Sequence, residues 1–231
     1  MLTVEVGGSS TQAIVFERPD QGEIVSLAQH KSDPWLLAAP GLVEGNRIRG
    51  AHHLGWMDIQ ASHELQMTSS PLLSMNDMEA AALGEWSLRA QPPGVLLYIG
   101  IGTGASAVAV REGALLPLEF GHRPGFGPKR CGGCGRVGCL DAQIGGHALP
   151  TPLRDEDIET VVDILKEAIR QQEIEFDLIV VGGGMPRRYS EIVSRLQKRI
   201  EPPVVSSVCP SQYKSSAPFG LLYAWQRTNP E

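Results

Sequence analysis

The stretch EFGHRPGFGPKRCGGCGRVGCLD, Glu119–Asp141, organises the reading of this chain. It carries three of the four cysteines, Cys131, Cys134 and Cys139, with His122 nine residues ahead of the first. Three thiolates and an imidazole are the donor set of a tetrahedral zinc. Gly132, Gly133, Gly135 and Gly138 let the backbone turn tightly around an ion, because glycine enters positive φ at little steric cost. The loop has few apolar side chains, so an ion would stand in for the core it lacks. Disulfides and free thiols are the competing readings of the same cysteines. Four protein donors leave no open coordination position, which makes the expected zinc structural. Glu119 and Asp141 add carboxylates at the two edges of the loop, as a polar site requires.

Outward from the loop, 231 residues suffice for one large domain or two smaller lobes with real cores. The balance of 20 basic against 26 acidic residues gives a net charge of −6, and no basic block stands out. Nothing therefore points to nucleic acid or to an anionic membrane surface. No apolar run reaches the ~20 residues of a membrane span. The opening MLTVEVGG lacks the features of a signal peptide. Clustered cysteines and one distant Cys209 fit a reducing cytoplasm better than a disulfide framework.

Leu2, Val4 and Val6 alternate with polar residues, and Ala13–Phe16 is a second β-prone run. Gly7, Gly8, Ser9, Ser10 and Thr11 lie between them. Such a hairpin tip can offer backbone N–H groups to an anion, or be a plain turn. Glu5, just before it, could help hold a hydrated Mg²⁺ against phosphates. The pattern predicts a short strand over Ile24–Ala28, then a buried strand, a turn and an exit strand over Leu36–Val43. His52 and His53 read as strand neighbours that face opposite ways. Asn76 or Asp77 is placed to cap an alanine-rich helix, MEAAALGEW, at a strand-to-helix junction. Capping alone explains the pair; a functional site at the junction explains it equally.

Pro92-Pro93-Gly94 is the best linker candidate. After it, Val95–Ile101 is a continuous apolar strand leading into Gly102, Thr103 and Gly104 and a returning strand, Val108–Val110. This second glycine–hydroxyl hairpin repeats the design of the first. Neither turn matches the P-loop or dinucleotide glycine patterns. Beyond the cysteine loop, residues 155–172 form the clearest helix, with Ile158, Val161, Val162, Leu165 and Ile169 on one face. Phe176–Val181 is a buried strand ending in Gly182, Gly183 and Gly184, with a helix expected over Tyr189–Ile200. That glycine triplet serves tight packing, or the ribose or phosphates of a nucleotide. A last strand, Val204–Val208, and a last helix, Ala217–Gln226, complete the pattern.

The ordered set VEVGGSSTQAIVF (4–16), AAPGLVEG (38–45), LGWMDI (54–59), NDMEAAALGE (76–85), IGTGASAVAV (101–110), LEFGH (118–122), CGGCGRVGCLD (131–141) and IVVGGG (179–184) resembles the ROK family. These are repressors, reading frames and sugar kinases of the actin-like ATPase superfamily. The resemblance runs over nearly the whole chain; the cysteine loop with its upstream ExGH is its specific part. It implies an α/β, two-lobed actin-like ATPase (ribonuclease H-like) fold with a zinc-binding loop, and a sugar and ATP meeting in the cleft. The expected lobes are 1–91, joined by a C-terminal helix over 217–231, and 92–216. Asp77 would be the general base, and Asn76 would hydrogen-bond the sugar. Glu119, His122 and Asp141 would bind further hydroxyls, with Gly41 and His53 also at the sugar. Glu5 with Gly7, Gly8, Ser9, Ser10 and Thr11, and Gly102, Thr103 and Gly104, would serve Mg²⁺ and the phosphates. Gly182, Gly183 and Gly184 would face the adenosine. His122, Cys131, Cys134 and Cys139 would hold Zn²⁺.

The chain also departs from the family pattern. Glu5 stands where Asp is usual, and the usual GGTK turn is GGSS, which loses a lysine near the phosphates. The first two cysteines are spaced CxxC instead of CxC, Asp141 replaces Glu, and His53 replaces Asn or Thr. Helical segments common in the family are expected to be missing around residues 30–34 and 142–155. Such segments help build the dimer interface, so a homodimer is left open. The sequence thus predicts a cytoplasmic, ATP-dependent hexose kinase of glucokinase or fructokinase kind, with Mg²⁺ and structural Zn²⁺. The alternative is a non-catalytic, sugar-binding regulator of the same family. A DNA-binding repressor is not expected, since no helix-turn-helix region precedes the first hairpin.

Overall fold

Leu2, Val4 and Val6 point to one face of a strand whose other face buries Thr3 and Glu5, so this strand is covered on both sides. In a computed structural model that describes residues 1–230, it is the first element of a mixed α/β chain. In order, the first elements are β1 (Leu2–Val6), β2 (Thr11–Arg18), β3 (Gln21–Val25), β4 (Trp35–Ala39), β5 (Leu42–Glu44), β6 (Arg47–Ala51) and β7 (Trp56–Gln60). There follow α1 (Ala61–Glu64), β8 (Leu73–Asn76), α2 (Asp77–Leu88), β9 (Val95–Ile101), β10 (Ala105–Arg111) and β11 (Ala114–Leu116). The chain continues through α3 (Leu140–Ile144), α4 (Asp155–Arg170), β12 (Leu178–Gly182), α5 (Gly184–Arg188), α6 (Glu191–Gln197), β13 (Val204–Ser206) and α7 (Ala217–Thr228). Two units result: Met1–Ala90 with Cys209 onward, and Gln91–Val208.

Each unit has a five-stranded sheet of the same design. The orders are β3-β2-β1-β4-β8 and β11-β10-β9-β12-β13. In both, the first strand pairs antiparallel with its hairpin partner on one side and parallel with a later strand on the other. The paired glycine turns read from the sequence are the tips of the β1–β2 and β9–β10 hairpins. In the first unit, Leu2, Val4, Val6, Trp35 and Leu37 pack with Ile48 and Ala51 of an antiparallel β5-β6-β7 sheet. On the opposite face, Ile14 and Phe16 pack with Phe219 and Leu222 of α7. In the second unit, the apolar stripe of α4 and the inward residues of α6 pack with Leu97, Ile99 and Ile101. No helix among the described residues is long and apolar enough to cross a membrane.

Several local expectations change. The strand expected over Ile24–Ala28 begins earlier, as β3, and gives way to a 3₁₀ turn at Leu27–Gln29. His52 and His53 lie on a 3₁₀ turn, His52–Leu54, and not on a strand; both are exposed. The chain there is turning through Gly55 (φ 70°) to reverse from β6 into β7. The helix expected over Tyr189–Ile200 is shorter, as α6, and a separate short helix that was not expected, α5, precedes it. Tyr189 leaves helical geometry (φ −126°, ψ 77°) to pack its ring on the core, and its hydroxyl accepts from the Leu153 N–H, 3.0 Å. Residues 30–34 hold no helix, and over 142–154 the helical residues are the end of α3 and a 3₁₀ turn at Gly146–Ala148.

Residues 209–216, assigned from the sequence to the second lobe, pack with the first unit. Cys209 and Tyr213 are buried against Ile14, Phe16 and Phe219, and the Tyr213 hydroxyl donates to the Gly22 carbonyl at 2.7 Å. The expected joining segment 217–231 reaches Glu231, which lies outside the described residues.

Candidate active site

Strand β8 lies parallel to β4, with Asn76 opposite Ala39 at the strand end. There Asn76 becomes the cap of α2. Its Oδ1 accepts from the N–H groups of Met78 (2.9 Å) and Glu79 (3.4 Å), satisfying donors that a helix start leaves unpaired. Its Nδ2 donates to the Gly41 carbonyl at 3.0 Å. Gly41 sits at φ +87°, where a Cβ would lie 2.4 Å from the Arg49 carbonyl oxygen, so only glycine fits. The cap and this turn are thus one unit, and one amide hydrogen of Asn76 remains for a ligand.

Asp77 opens α2. Its Oδ1 accepts from the Met78 N–H at 3.0 Å. Burial of the carboxyl group pushes its pKa up to about 6, against the pull of the Met78 N–H and the positive charge of Lys214. A carboxylate poised there ionises near neutrality yet is more basic than an ordinary aspartate, as a general base requires.

The first hairpin turns at Gly7–Ser10, where the Gly7 N–H donates to the Ser10 carbonyl at 2.9 Å. Gly7 is buried, Gly8 half-buried, and Ser9, Ser10 and Thr11 are exposed at the tip. Glu5 is 4% exposed, and its Oε1 accepts from the Ser215 hydroxyl at 2.8 Å. Lys214 donates from its backbone N–H to Gln12 Oε1 (2.9 Å) and from Nζ to the Ser10 carbonyl (2.6 Å). Neither Lys214 nor Ser215 is identifiable from sequence, because about two hundred residues separate them from the hairpin and no local motif marks them.

In the second unit, the Gly102 N–H donates to the Gly104 carbonyl at 2.8 Å. The carbonyls of Gly102 and Thr103 accept from the N–H groups of Gly146 (2.9 Å) and His147 (3.0 Å). His147 also places Nδ1 2.8 Å from the Thr103 carbonyl, a contact with no sequence signal. Asp141 is buried; its Oδ1 accepts from the Ala105 N–H at 2.8 Å, and its Oδ2 lies 3.8 Å from Cys131 Sγ. It therefore ties the cysteine loop to the second turn. Glu119 is exposed and paired with Arg136 at 2.7 Å, a contact of little energetic weight in water.

One ligand atom from each of His122, Cys131, Cys134 and Cys139 lies within 4.8 Å of the others. Cys131 Sγ is 3.5 Å from His122 Nδ1, and Cys134 Sγ is 3.3 Å from Cys139 Sγ. Sulfur atoms around a tetrahedral zinc stand about 3.8 Å apart, given Zn–S near 2.3 Å, so the four atoms could close on one ion. Burial, with the neighbouring thiols of Cys134 and Cys131, pushes the Cys139 thiol up to about 12. The glycine triplet divides. A Cβ on Gly182 would meet the Tyr98 ring at 2.8 Å, and one on Gly183 (φ +98°) the Ile101 carbonyl at 2.4 Å. Packing accounts for those two, whereas Gly184 faces open space.

The sequence profile of the ROK family matches residues 23–175. A polyphosphate glucokinase of Mycobacterium tuberculosis is 26% identical over 178 residues, which cover 72% of this chain and 62% of that protein. The chain thus spans under two thirds of that relative's length. An inorganic polyphosphate/ATP-glucomannokinase from Arthrobacter superposes with a TM-score of 0.72 at 18% identity, covering 99% of both chains. A glucokinase from Streptomyces griseus, solved with glucose and AMPPNP, does so with a TM-score of 0.68 at 17% identity, covering 97% of this chain and 99% of that one. These likenesses show the actin-like ATPase fold, as expected from the sequence.

Proposed function

The chain belongs to the ROK family, and from that we propose that it is a sugar kinase, carrying the γ-phosphoryl group of ATP to a hydroxyl of a hexose or hexose derivative. The observation that carries this reading is Asp77: a carboxyl raised to about 6, held at a strand-to-helix junction by the same cap that fixes Asn76 and Gly41. Asp77 takes the proton of the acceptor hydroxyl as its oxygen bonds to the γ-phosphorus. The bond from that phosphorus to the bridging oxygen breaks, and ADP leaves with the electron pair. Little covalent work falls to the protein; positioning and charge neutralisation do most of it.

The remaining roles are part of the same proposal. The spare amide hydrogen of Asn76 bonds the sugar, and His53, Glu119 and His122 supply further hydroxyl contacts. Asp141, already bonded to Ala105, acts by holding the cysteine loop and the second turn together. Ser9, Ser10, Thr11 and the Gly102–Gly104 turn receive phosphate oxygens, and Gly184 lies against the adenosine. Glu5, a buried carboxylate under the first turn and oriented by Ser215, is the residue that would hold a hydrated Mg²⁺. Magnesium supplies charge neutralisation at the phosphates. The four clustered Cys and His donors fit Zn²⁺, whose role is to fix the loop.

A phosphorus NMR assay tests the reaction. Mixing the protein with Mg-ATP and a panel of hexoses should give ADP and one sugar phosphate ester in equal amounts. Two of the similar proteins are named for polyphosphate, so a polyphosphate arm belongs in the same assay. Measurable sugar binding with no ester from either donor would favour a sugar-binding regulator instead, the reading that Glu5 and Ser10 keep in view.

A further inference from the structure

The first turn reads Val6-Gly7-Gly8-Ser9-Ser10-Thr11-Gln12, without a basic side chain. Backbone N–H groups and the hydroxyls of Ser9, Ser10 and Thr11, all uncharged, would face a phosphoryl group carrying several negative charges. Yet an ammonium group stands at this turn. Lys214 Nζ donates to the Ser10 carbonyl at 2.6 Å, and a Cβ built on Gly7 would lie 2.1 Å from it. Any larger residue at position 7 would have to displace this ammonium.

The placement is built from several sides. Gln12, on the returning strand, accepts from the Lys214 backbone N–H (2.9 Å) and donates to the Gln212 carbonyl (3.4 Å). Ser215, next in the chain, donates to Glu5 on the outgoing strand at 2.8 Å. Tyr213, on the other side, is buried among Ile14, Phe16 and Phe219. Residues 212–215 are thus fastened to both strands of the hairpin, and the lysine between them has little freedom of backbone position. An ammonium has three N–H donors, and the Ser10 carbonyl takes one.

We propose that Lys214 is a phosphate-binding residue of the Gly7–Ser10 turn, supplying from a distant segment the positive charge that the turn's own sequence lacks. This rests on the phosphoryl-transfer reading only for its physiological ligand. The chemistry it recognises is a terminal phosphoryl group of a nucleoside triphosphate or of a polyphosphate chain. Its remaining two donors bind the phosphoryl oxygens as charge-assisted hydrogen bonds. The same ammonium helps keep Asp77 ionised, alongside the Met78 N–H and against Glu79.

The test is titration of tripolyphosphate and of Mg-ATP into the wild-type chain, Lys214→Met, Lys214→Arg, and Lys214→Met combined with Ser10→Lys, with melting temperatures alongside. We expect Lys214→Met to weaken both anions at least about tenfold, the scale of one charge-assisted bond, with sugar affinity unchanged. Lys214→Arg should stay within about threefold, and Ser10→Lys should restore part of the loss. A purely structural lysine would lower the melting temperature and leave anion affinity in step with the folded fraction. Should Lys214→Met not fold, the wild-type chain decides: tripolyphosphate should slow acetylation of Lys214, and unchanged acetylation overturns the assignment. Equal affinity in a folded Lys214→Met, or no binding of tripolyphosphate by the wild type, overturns it as well. Lys214-dependent anion binding without sugar phosphorylation would sink the kinase reading alone. Phosphorylation with an unaltered Mg-ATP KM in Lys214→Met would sink this assignment alone.

Discussion

At the residue scale, the proposed chemistry rests on one carboxyl. Asp77 is pushed up to about 6 by burial, so kcat/KM is expected to fall tenfold per pH unit below about 6 and to be level above it. A pH profile of the wild type checks this; an acidic limb centred near 4 would contradict it. The same shift has a stability consequence. A carboxyl whose folded-state pKa lies above its unfolded value binds its proton more tightly when folded. Its contribution is present at low pH and is lost as pH rises through about 6. Asp77→Asn, which cannot ionise, should therefore gain stability relative to the wild type between pH 4 and 7 while losing about 10²–10⁴-fold in turnover. Denaturant titrations at two pH values read the first effect and steady-state kinetics the second. Parallel loss of stability and activity would mean that Asp77 is a structural cap instead.

At the element scale, close approach fixes the first unit. Helices α2 and α7 cross where Gly84 and Gly220 let the backbones touch. A Cβ on Gly220 would lie 1.8 Å from the Ala80 carbonyl, and one on Gly84 1.9 Å from that of Ser216. The crossing also buries Glu85, which accepts from the Ser216 hydroxyl at 3.0 Å and pairs with Arg89. Gly220→Val is expected to cost at least about 1–3 kcal/mol of stability by overpacking, read as a lowered denaturation midpoint. Because α7 leads directly from the segment holding Lys214 and Ser215, the same variant should weaken Mg-ATP binding. The cysteine loop is the other local device. Elemental analysis should find about one zinc per chain, and its removal by chelator should lower the melting temperature, since ordering of the loop is linked to binding. A metal-free protein purified without chelator, equally stable, would remove zinc from the account.

At the scale of the whole chain, the repeated hairpin was legible because each copy is an apolar strand, a glycine–hydroxyl turn and a returning strand in one short run, whereas the five-stranded sheets around them bring together strands distant in sequence. The Asn76-Asp77 helix start and the clustered Cys and His donors were legible as candidates for a similar reason, since each sits in a short run, but the roles proposed for them came from the family resemblance. What stayed hidden is long-range or geometric. Residues 209–216 carry no compositional mark of the unit they join; burial of Cys209 and Tyr213 against β2 decides it. Lys214 reaches the first turn from 204 residues away in sequence. The break between α5 and α6 at Tyr189 depends on where a ring finds space, and His52 and His53 turn with their backbone instead of alternating on a strand.

Phosphoryl transfer to a sugar and the role of Asp77 as its base are the two parts of the proposed reaction, and one measurement addresses both. ADP release from Mg-ATP is followed across hexoses and N-acetylhexosamines, for the wild type and for Asp77→Asn of equal fold. Sugar-dependent release by the wild type, reduced at least a hundredfold in Asp77→Asn with sugar affinity kept, is the predicted result. No sugar-dependent release from a wild-type protein that binds sugar, or an Asp77→Asn variant as active as the wild type, would contradict it.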